Sequence, residues 1–182
     1  MIFLLQCLYF ILPAYIANMA PVFAEKLGVL KFLARSVDGG KMWKGRPIFG
    51  DHKTWRGFVV GIVSALAVVW LQYFLQQFYF SQKISLINYS EVNLWFLGIL
   101  LGFGALFGDL VKSFFKRRIG VLPGKPWIPF DQIDFALGAL IFVNFIFRTP
   151  WTLVIIVLLV TPILHISANR LGYLLKIRNT KW

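Results

Sequence analysis

The chain has 182 residues, of which 59% are hydrophobic, 18% aromatic and only 14% charged, and its mean hydropathy is +0.74. A soluble domain averages about 25% charged, so the composition excludes a soluble globular enzyme, a disordered tail and a disulfide scaffold; the single cysteine, Cys7, closes neither a disulfide nor a zinc site by itself. The net charge of +12, from 19 Lys and Arg against 7 Asp and Glu, reads in so apolar a chain as membrane topology and phosphate contact, not as nucleic-acid binding.

A helix needs about 20 mostly apolar residues to cross a bilayer, and five stretches qualify. The first runs from Met1 to Ala24. Val22-Phe23-Ala24 resembles a signal-cleavage site, but no Lys or Arg precedes the apolar run, so the segment is read as a span that stays. A basic loop, residues 25–56, leads to the second span, 57–80. The short loop after it carries the sequon Asn88-Tyr89-Ser90, which matters only in a host that glycosylates. The third span, 92–107, gives way to a second long polar loop, 108–132. The fourth span, 133–147, and the fifth, 151–168, follow with one turn between them. The third and fourth are short and are expected to extend into flanking polar residues. The expected fold is all-α: a single integral membrane domain with five transmembrane helices.

Lys and Arg set the orientation. The first loop holds Lys26, Lys31, Arg35, Lys41, Lys44, Arg46, Lys53 and Arg56. The second long loop holds Lys112, Lys116, Arg117, Arg118 and Lys125, and the tail holds Arg170, Lys176, Arg178 and Lys181. The opposite side receives only Lys83 and Arg148. The positive-inside rule then puts the N-terminus outside, and both long loops and the C-terminus in the cytoplasm, for a multi-pass protein of the cell membrane. All five aspartates, Asp38, Asp51, Asp109, Asp131 and Asp134, gather on that same side. Acids contribute little to topology, so their gathering needs another reason.

From Asp38 to Gly57, glycines interleave with cations. Glycine lets backbone N–H groups approach an anion, and the cations pair with phosphates. The run is not a P-loop, because GxxxxGK followed by Ser or Thr is absent; it reads equally as a basic loop resting on anionic headgroups. Thr54 stands where it would cap the second span and leave a positive helix N-terminus aimed at phosphate. Asp109, Lys112, Ser113 and Lys116 recur at i, i+3, i+4 and i+7, one face of a helix expected to continue past the third span to Gly120. Lysines there also suit a snorkelling interfacial end, whereas an acid at the membrane boundary does not. Asp131 and Asp134 follow Pro126 and Pro129 at i, i+3. Asp131 reads also as an N-cap. Together with Asp109 the pair offers three oxygen ligands of the kind that Mg²⁺ takes beside substrate phosphates. Asn18 reads as a packing or pocket group and His165 as an interhelical donor.

Read in order, Gly50-Asp51-His52-Lys53-Thr54-Trp55-Arg56-Gly57, then Gly108-Asp109 with Ser113 and Lys116-Arg117-Arg118, then Phe130-Asp131-Gln132-Ile133-Asp134-Phe135 resemble the CDP-archaeol synthase family, itself similar to the CDP-diacylglycerol synthases. The resemblance extends from Tyr15 to Arg170. It implies a Mg²⁺-dependent, five-span membrane enzyme that joins the cytidylyl group of CTP to an isoprenoid-ether glycerol phosphate and releases diphosphate. It implies Asp109, Asp131 and Asp134 as the metal site and, with Lys116, as the catalytic group. It implies Lys53, Thr54, Arg56, Ser113 and Arg117 as contacts of CTP and its phosphates, and Asp51, Lys112 and Arg118, on the same loop and helix, are read with them. The diacylglycerol enzymes carry His-Gly-Gly before their last aspartates, where this chain has Pro126-Trp127-Ile128-Pro129-Phe130, so their details do not carry over. A CDP-diacylglycerol synthase, a CTP-dependent lipid kinase and a small transporter stand as alternatives. The transporter predicts charges along a mid-membrane path, and the spans hold almost none. Lipid tail chemistry, the number of metal ions and the oligomeric state are open at this level.

Overall fold

In lipid a single apolar segment satisfies its own backbone hydrogen bonds only as a helix. The computed structural model describes residues 1–122 and 125–176; Arg178 and Lys181, read above as part of the basic tail, lie outside the described residues. Among those residues six α-helices occur: α1 (Ile2–Leu27), α2 (Trp55–Leu75), α3 (Tyr79–Ile84), α4 (Leu94–Arg118), α5 (Phe130–Val143) and α6 (Trp151–Leu174). Four of them, α1, α2, α4 and α6, are long and apolar enough to cross a membrane. They expose Val63, Leu71, Trp95, Ile155, Leu159 and Ile163, an apolar surface of the kind a bilayer covers. The most buried is α4; α1, α2 and α5 pack around it, and α6 packs on α5 and α1.

Two expected spans differ in length. The expected fourth span forms α5, with 14 residues, a rise of about 21 Å against a hydrocarbon core of about 30 Å. It stops because the Asn144 side chain turns forward to accept from the Thr149 N–H at 3.0 Å, closing the turn into α6. The second span ends at Leu75 and not at Phe80. The Gln76 carboxamide donates to Asn88 Oδ1 at 2.6 Å and accepts from the Tyr89 N–H at 2.7 Å, so the chain bends there and a separate short helix, α3, follows. By contrast α4 runs unbroken to Arg118, and Gly120 at φ 84° turns the chain away.

The approach of α5 to α4 positions the polar end of the molecule. A Cβ on Gly108 would stand 2.2 Å from the Asp134 carbonyl oxygen, and one on Gly138 would stand 2.2 Å from that of Gly104. Small residues let helices associate backbone to backbone where lipid removes the hydrophobic drive. The consequence is that the first turn of α5 lies against the last turns of α4.

The segment between α1 and α2 is a folded loop. Its strands β1 (Met42–Trp43) and β2 (Arg46–Pro47) form an antiparallel hairpin. The two turn residues, Lys44 (φ 51°) and Gly45 (φ 72°), both take the left-handed conformation that two-residue hairpins need. Asp38 organises the rest. Its carboxylate accepts from the N–H groups of Phe49 at 2.9 Å, Gly40 at 3.0 Å and Gly50 at 3.2 Å. Burial pushes the carboxyl up, but the backbone donors outweigh burial and hold it below the ordinary carboxylate range. The Val37 N–H donates to the Lys53 carbonyl at 2.7 Å and the Trp55 N–H to that of Arg35 at 3.1 Å, which ties the loop to the start of α2.

Candidate active site

Three aspartates from two helices meet at one ammonium. The Lys112 Nζ lies 3.1 Å from Asp109 Oδ1, 3.0 Å from Asp131 Oδ1 and 3.1 Å from Asp134 Oδ2. Lys116, one turn further along α4, reaches both oxygens of Asp131 at 2.8 and 2.7 Å. Lys53, delivered by the first loop, pairs with Asp109 Oδ2. Three carboxylates and three ammonium groups thus balance charge for charge. Among the described residues no three acidic, histidine or cysteine side chains stand as a ready metal shell. The Lys112 ammonium stands between the carboxylates instead.

Local structure explains each placement. Asp109, Lys112 and Lys116 share one face of α4 because the helix continues through them. Asp131 in the first turn of α5 and Asp134 three residues on share a face. Asp131 does not cap that helix: the cap residue is Pro129, and the carboxylate accepts from the Trp127 N–H and from the two lysines. Thr54 does cap α2, its Oγ1 accepting from the Gly57 N–H at 3.2 Å. Arg56, in the first turn of α2, is buried and makes no hydrogen bond or ion pair with another described residue. None of its guanidinium nitrogens is a fully buried atom without a partner; the group faces a cavity.

That cavity has a volume of about 870 Å³. Asp51, Lys53, Thr54 and Arg56 line it from the loop and α2, Asp109, Lys112 and Lys116 from α4, and Asp131, Gln132 and Asp134 from α5. Asn18 of α1 and His165 and Asn169 of α6 close the remaining side. A second, apolar groove of about 320 Å³ runs on between α1 and α6, lined by Met19, Phe23, Leu164 and Leu171 among others. Asn18, Val22, His165 and Asn169 belong to both.

Three of the residues read as phosphate contacts lie elsewhere. Ser113 is buried in α4 about 100° around the helix from Lys112 and does not line the cavity. Arg117 donates to the Val121 carbonyl at 2.6 Å. Arg118 donates to the carbonyls of Trp43, Arg46 and Pro47, while Arg46 donates back to those of Arg117 at 3.1 Å and Arg118 at 2.7 Å. The two arginines therefore lock the hairpin to the last turn of α4 and satisfy its end carbonyls. Asn18 and His165, read above as a packing or pocket group and an interhelical donor, line the cavity, and a polar residue inside an otherwise apolar span was the available signal; Asn169, just past the expected fifth span, was not singled out.

The whole chain, residues 1–182, matches the family model described as "CarS-like: CDP-archaeol synthase". It is 41% identical over 181 residues to a protein of Thermococcus onnurineus named CDP-archaeol synthase, covering 98% of this chain and 97% of that one. A Methanococcoides burtonii protein of the same name is 38% identical over 94% of this chain and 99% of its own. A solved structure, described as structural insight into an intramembrane enzyme for archaeal membrane lipids biosynthesis, superposes with a TM-score of 0.69 at 31% identity, covering 89% of this chain and 91% of that one. Relatives matched over nearly their whole length, together with a fold shared with an intramembrane lipid enzyme, lead to one conclusion: the chain belongs to the CDP-archaeol synthase family.

Proposed function

We propose that the charged cavity binds CTP, that the apolar groove takes the chains of an isoprenoid-ether glycerol phosphate, and that the protein transfers the cytidylyl group from one to the other. The observation that carries this reading is the continuity of the two spaces through Asn18, Val22, His165 and Asn169. A soluble triphosphate and a lipid phosphate meet where these residues stand. An oxygen of the lipid phosphate attacks the α-phosphorus of CTP, the bond to the β-phosphate breaks, and diphosphate leaves. The lipid phosphate is an anion already and needs little base catalysis; the difficulty is repulsion between two anions. Arg56, unpaired among the described residues, supplies positive charge that offsets it, and Lys53, Lys112 and Lys116, held beside the aspartates, add donors to the phosphates and the departing diphosphate.

Three carboxylates from adjacent turns of α4 and α5 point their oxygens at one spot, and hard oxygen donors suit Mg²⁺. Asp109, Asp131 and Asp134 would hold it. When bound, the ion adds charge neutralisation at the phosphates. The enzyme is further inferred to cross the cell membrane five times, α5 being the crossing buried among its neighbours, with the N-terminus outside and the cavity open to the cytoplasm; the division of Lys and Arg supports this. Cysteines substituted at Lys83 and Lys44 would label from opposite sides of sealed vesicles.

The test of function uses purified protein in detergent with Mg²⁺, CTP labelled at the α-phosphate, and an ether lipid and a phosphatidic acid in parallel. Label in the ether lipid with release of diphosphate is the expected result. Label only in the ester lipid moves the reading to CDP-diacylglycerol synthesis. Release of CDP from CTP means a kinase, and label in neither lipid overturns cytidylyl transfer.

A further inference from the structure

We propose that Lys112 is a built-in stand-in for the divalent cation: its ammonium holds the three carboxylates together in the resting site, and the ion enters only as that ammonium withdraws toward the triphosphate. The inference rests on the metal and nucleotide reading above and adds a role for one side chain. Three observations carry it.

The first is geometric. One nitrogen lies 3.0 to 3.1 Å from an oxygen of each of three aspartates contributed by two helices. Among the described residues this ammonium is the one positive charge ion-paired with all three carboxylates. A divalent ion held by the same oxygens sits between them, and the two cannot share the space. The second is charge. Asp109, Asp131 and Asp134 are balanced by Lys53, Lys112 and Lys116. A divalent ion among those oxygens would meet the like charge of the Lys112 ammonium at nearly the same position. That repulsion is relieved once Lys112 has left. The third is the environment. Asp134 Oδ2 is buried and has no hydrogen bond; the ion pair to Lys112 is its contact with positive charge. Arg56 is buried in the wall of the same cavity with no anion among the described residues. A triphosphate bound there brings the negative charge toward which Lys112 turns. Lysine suits such an exchange: a compact charge on a flexible stem with freely rotating donors.

The experiment omits the lipid acceptor, so nothing turns over. Binding of Mg²⁺ alone is measured by calorimetry and by thermal stabilisation for the wild type, Lys112→Met and Lys112→Arg. Lys112→Met removes the ammonium and keeps the stem. It is expected to bind Mg²⁺ at least tenfold more tightly than the wild type, with a larger thermal stabilisation by the ion. Lys112→Arg keeps the charge and is expected to bind Mg²⁺ alone as weakly as the wild type. Recovery of Lys112→Met only in Mg²⁺-containing buffer, with unfolding on EDTA, also supports the proposal. Mg²⁺ binding by Lys112→Met no tighter than by the wild type overturns it. A second measurement needs no variant: a structure of the wild type with Mg²⁺ and CTP. Nζ withdrawn from all three carboxylates is expected; Nζ still within hydrogen-bond distance of all three beside a bound ion refutes the exchange. Failure of the wild type to bind CTP at all is a different result, and it overturns the nucleotide reading itself.

Discussion

At Gly108 the backbones of α4 and α5 approach so closely that there is no room for a Cβ, so the smallest possible side chain added there tests the whole arrangement. Gly108→Ala places a methyl group 2.2 Å from the Asp134 carbonyl oxygen, where ordinary contact begins at 3.4 Å. The obstacle is backbone, so α5 must retreat by about 1.2 Å to relieve the overlap. Lys112 reaches Asp131 and Asp134 at 3.0 and 3.1 Å, and Lys116 reaches Asp131 at 2.7 Å. A retreat of that size takes the first two beyond hydrogen-bond distance. A misplacement of about 1 Å in a catalytic array costs roughly 100-fold, and overpacking costs about 1–3 kcal/mol of stability. Gly108→Ala is therefore expected to lower kcat/KM for cytidylyl transfer about 100-fold and to lower the thermal midpoint as well. Gly102→Ala is the comparison: its Cβ would meet the Ala65 side chain at 2.8 Å, between α4 and α2 and away from the aspartates. It is expected to cost stability while leaving transfer within roughly threefold of the wild type. Wild-type activity in Gly108→Ala, or an equal loss in both variants, would refute the claim that the α4–α5 approach sets the site.

Arg56→Ala is expected to raise KM for CTP roughly tenfold or more, the worth of a charge-assisted hydrogen bond. It should leave thermal stability nearly unchanged, because Arg56 pairs with no described residue. Arg118→Ala is expected to do the reverse: faster tryptic cleavage at Lys41 and Lys44 as the hairpin loosens from α4, with KM for CTP within about twofold of the wild type, since its guanidinium is used by three hairpin carbonyls. Asp38 gives a pH dependence. Its folded carboxyl is held below the ordinary value, so its contribution to loop stability is complete above the unfolded pKa of about 3.9 and is lost as pH falls through the folded one. Asp38→Asn is thus expected to speed loop cleavage about tenfold at neutral pH. In unfolding experiments the gap between variant and wild type should close below about pH 4. A gap that widens on acidification would reverse the sign and refute the account.

What the sequence disclosed followed from periodicity. The i, i+3, i+7 spacing of Asp109, Lys112 and Lys116 was enough to extend α4 beyond its apolar run, because a polar stripe with an apolar stripe behind it has one regular solution. The i, i+3 spacing of Asp131 and Asp134 likewise placed both carboxylates on one face. Spacing within a helix says nothing of the distance between helices, however. That the lysines and aspartates would pair with one another depended on how closely α5 lies on α4. The signal for that was the set Gly104, Gly108 and Gly138, legible only once the two helices are known to face each other. The basic run Lys116-Arg117-Arg118 misled for a related reason. Three consecutive residues on a helix point in three directions, so one cation reaches the cavity and the other two cannot follow it. Their partners are backbone carbonyls, Val121 for Arg117 and the hairpin for Arg118, and the hairpin was announced only by Lys44-Gly45, a weak two-residue turn in a loop rich in glycine. The length of α5 was hidden in the same way. Apolar residues continue through Phe147, but the helix ends where Asn144 finds a backbone donor in Thr149. Hydropathy records the solvent that a segment prefers; where its helix stops is decided by which polar group reaches the chain first.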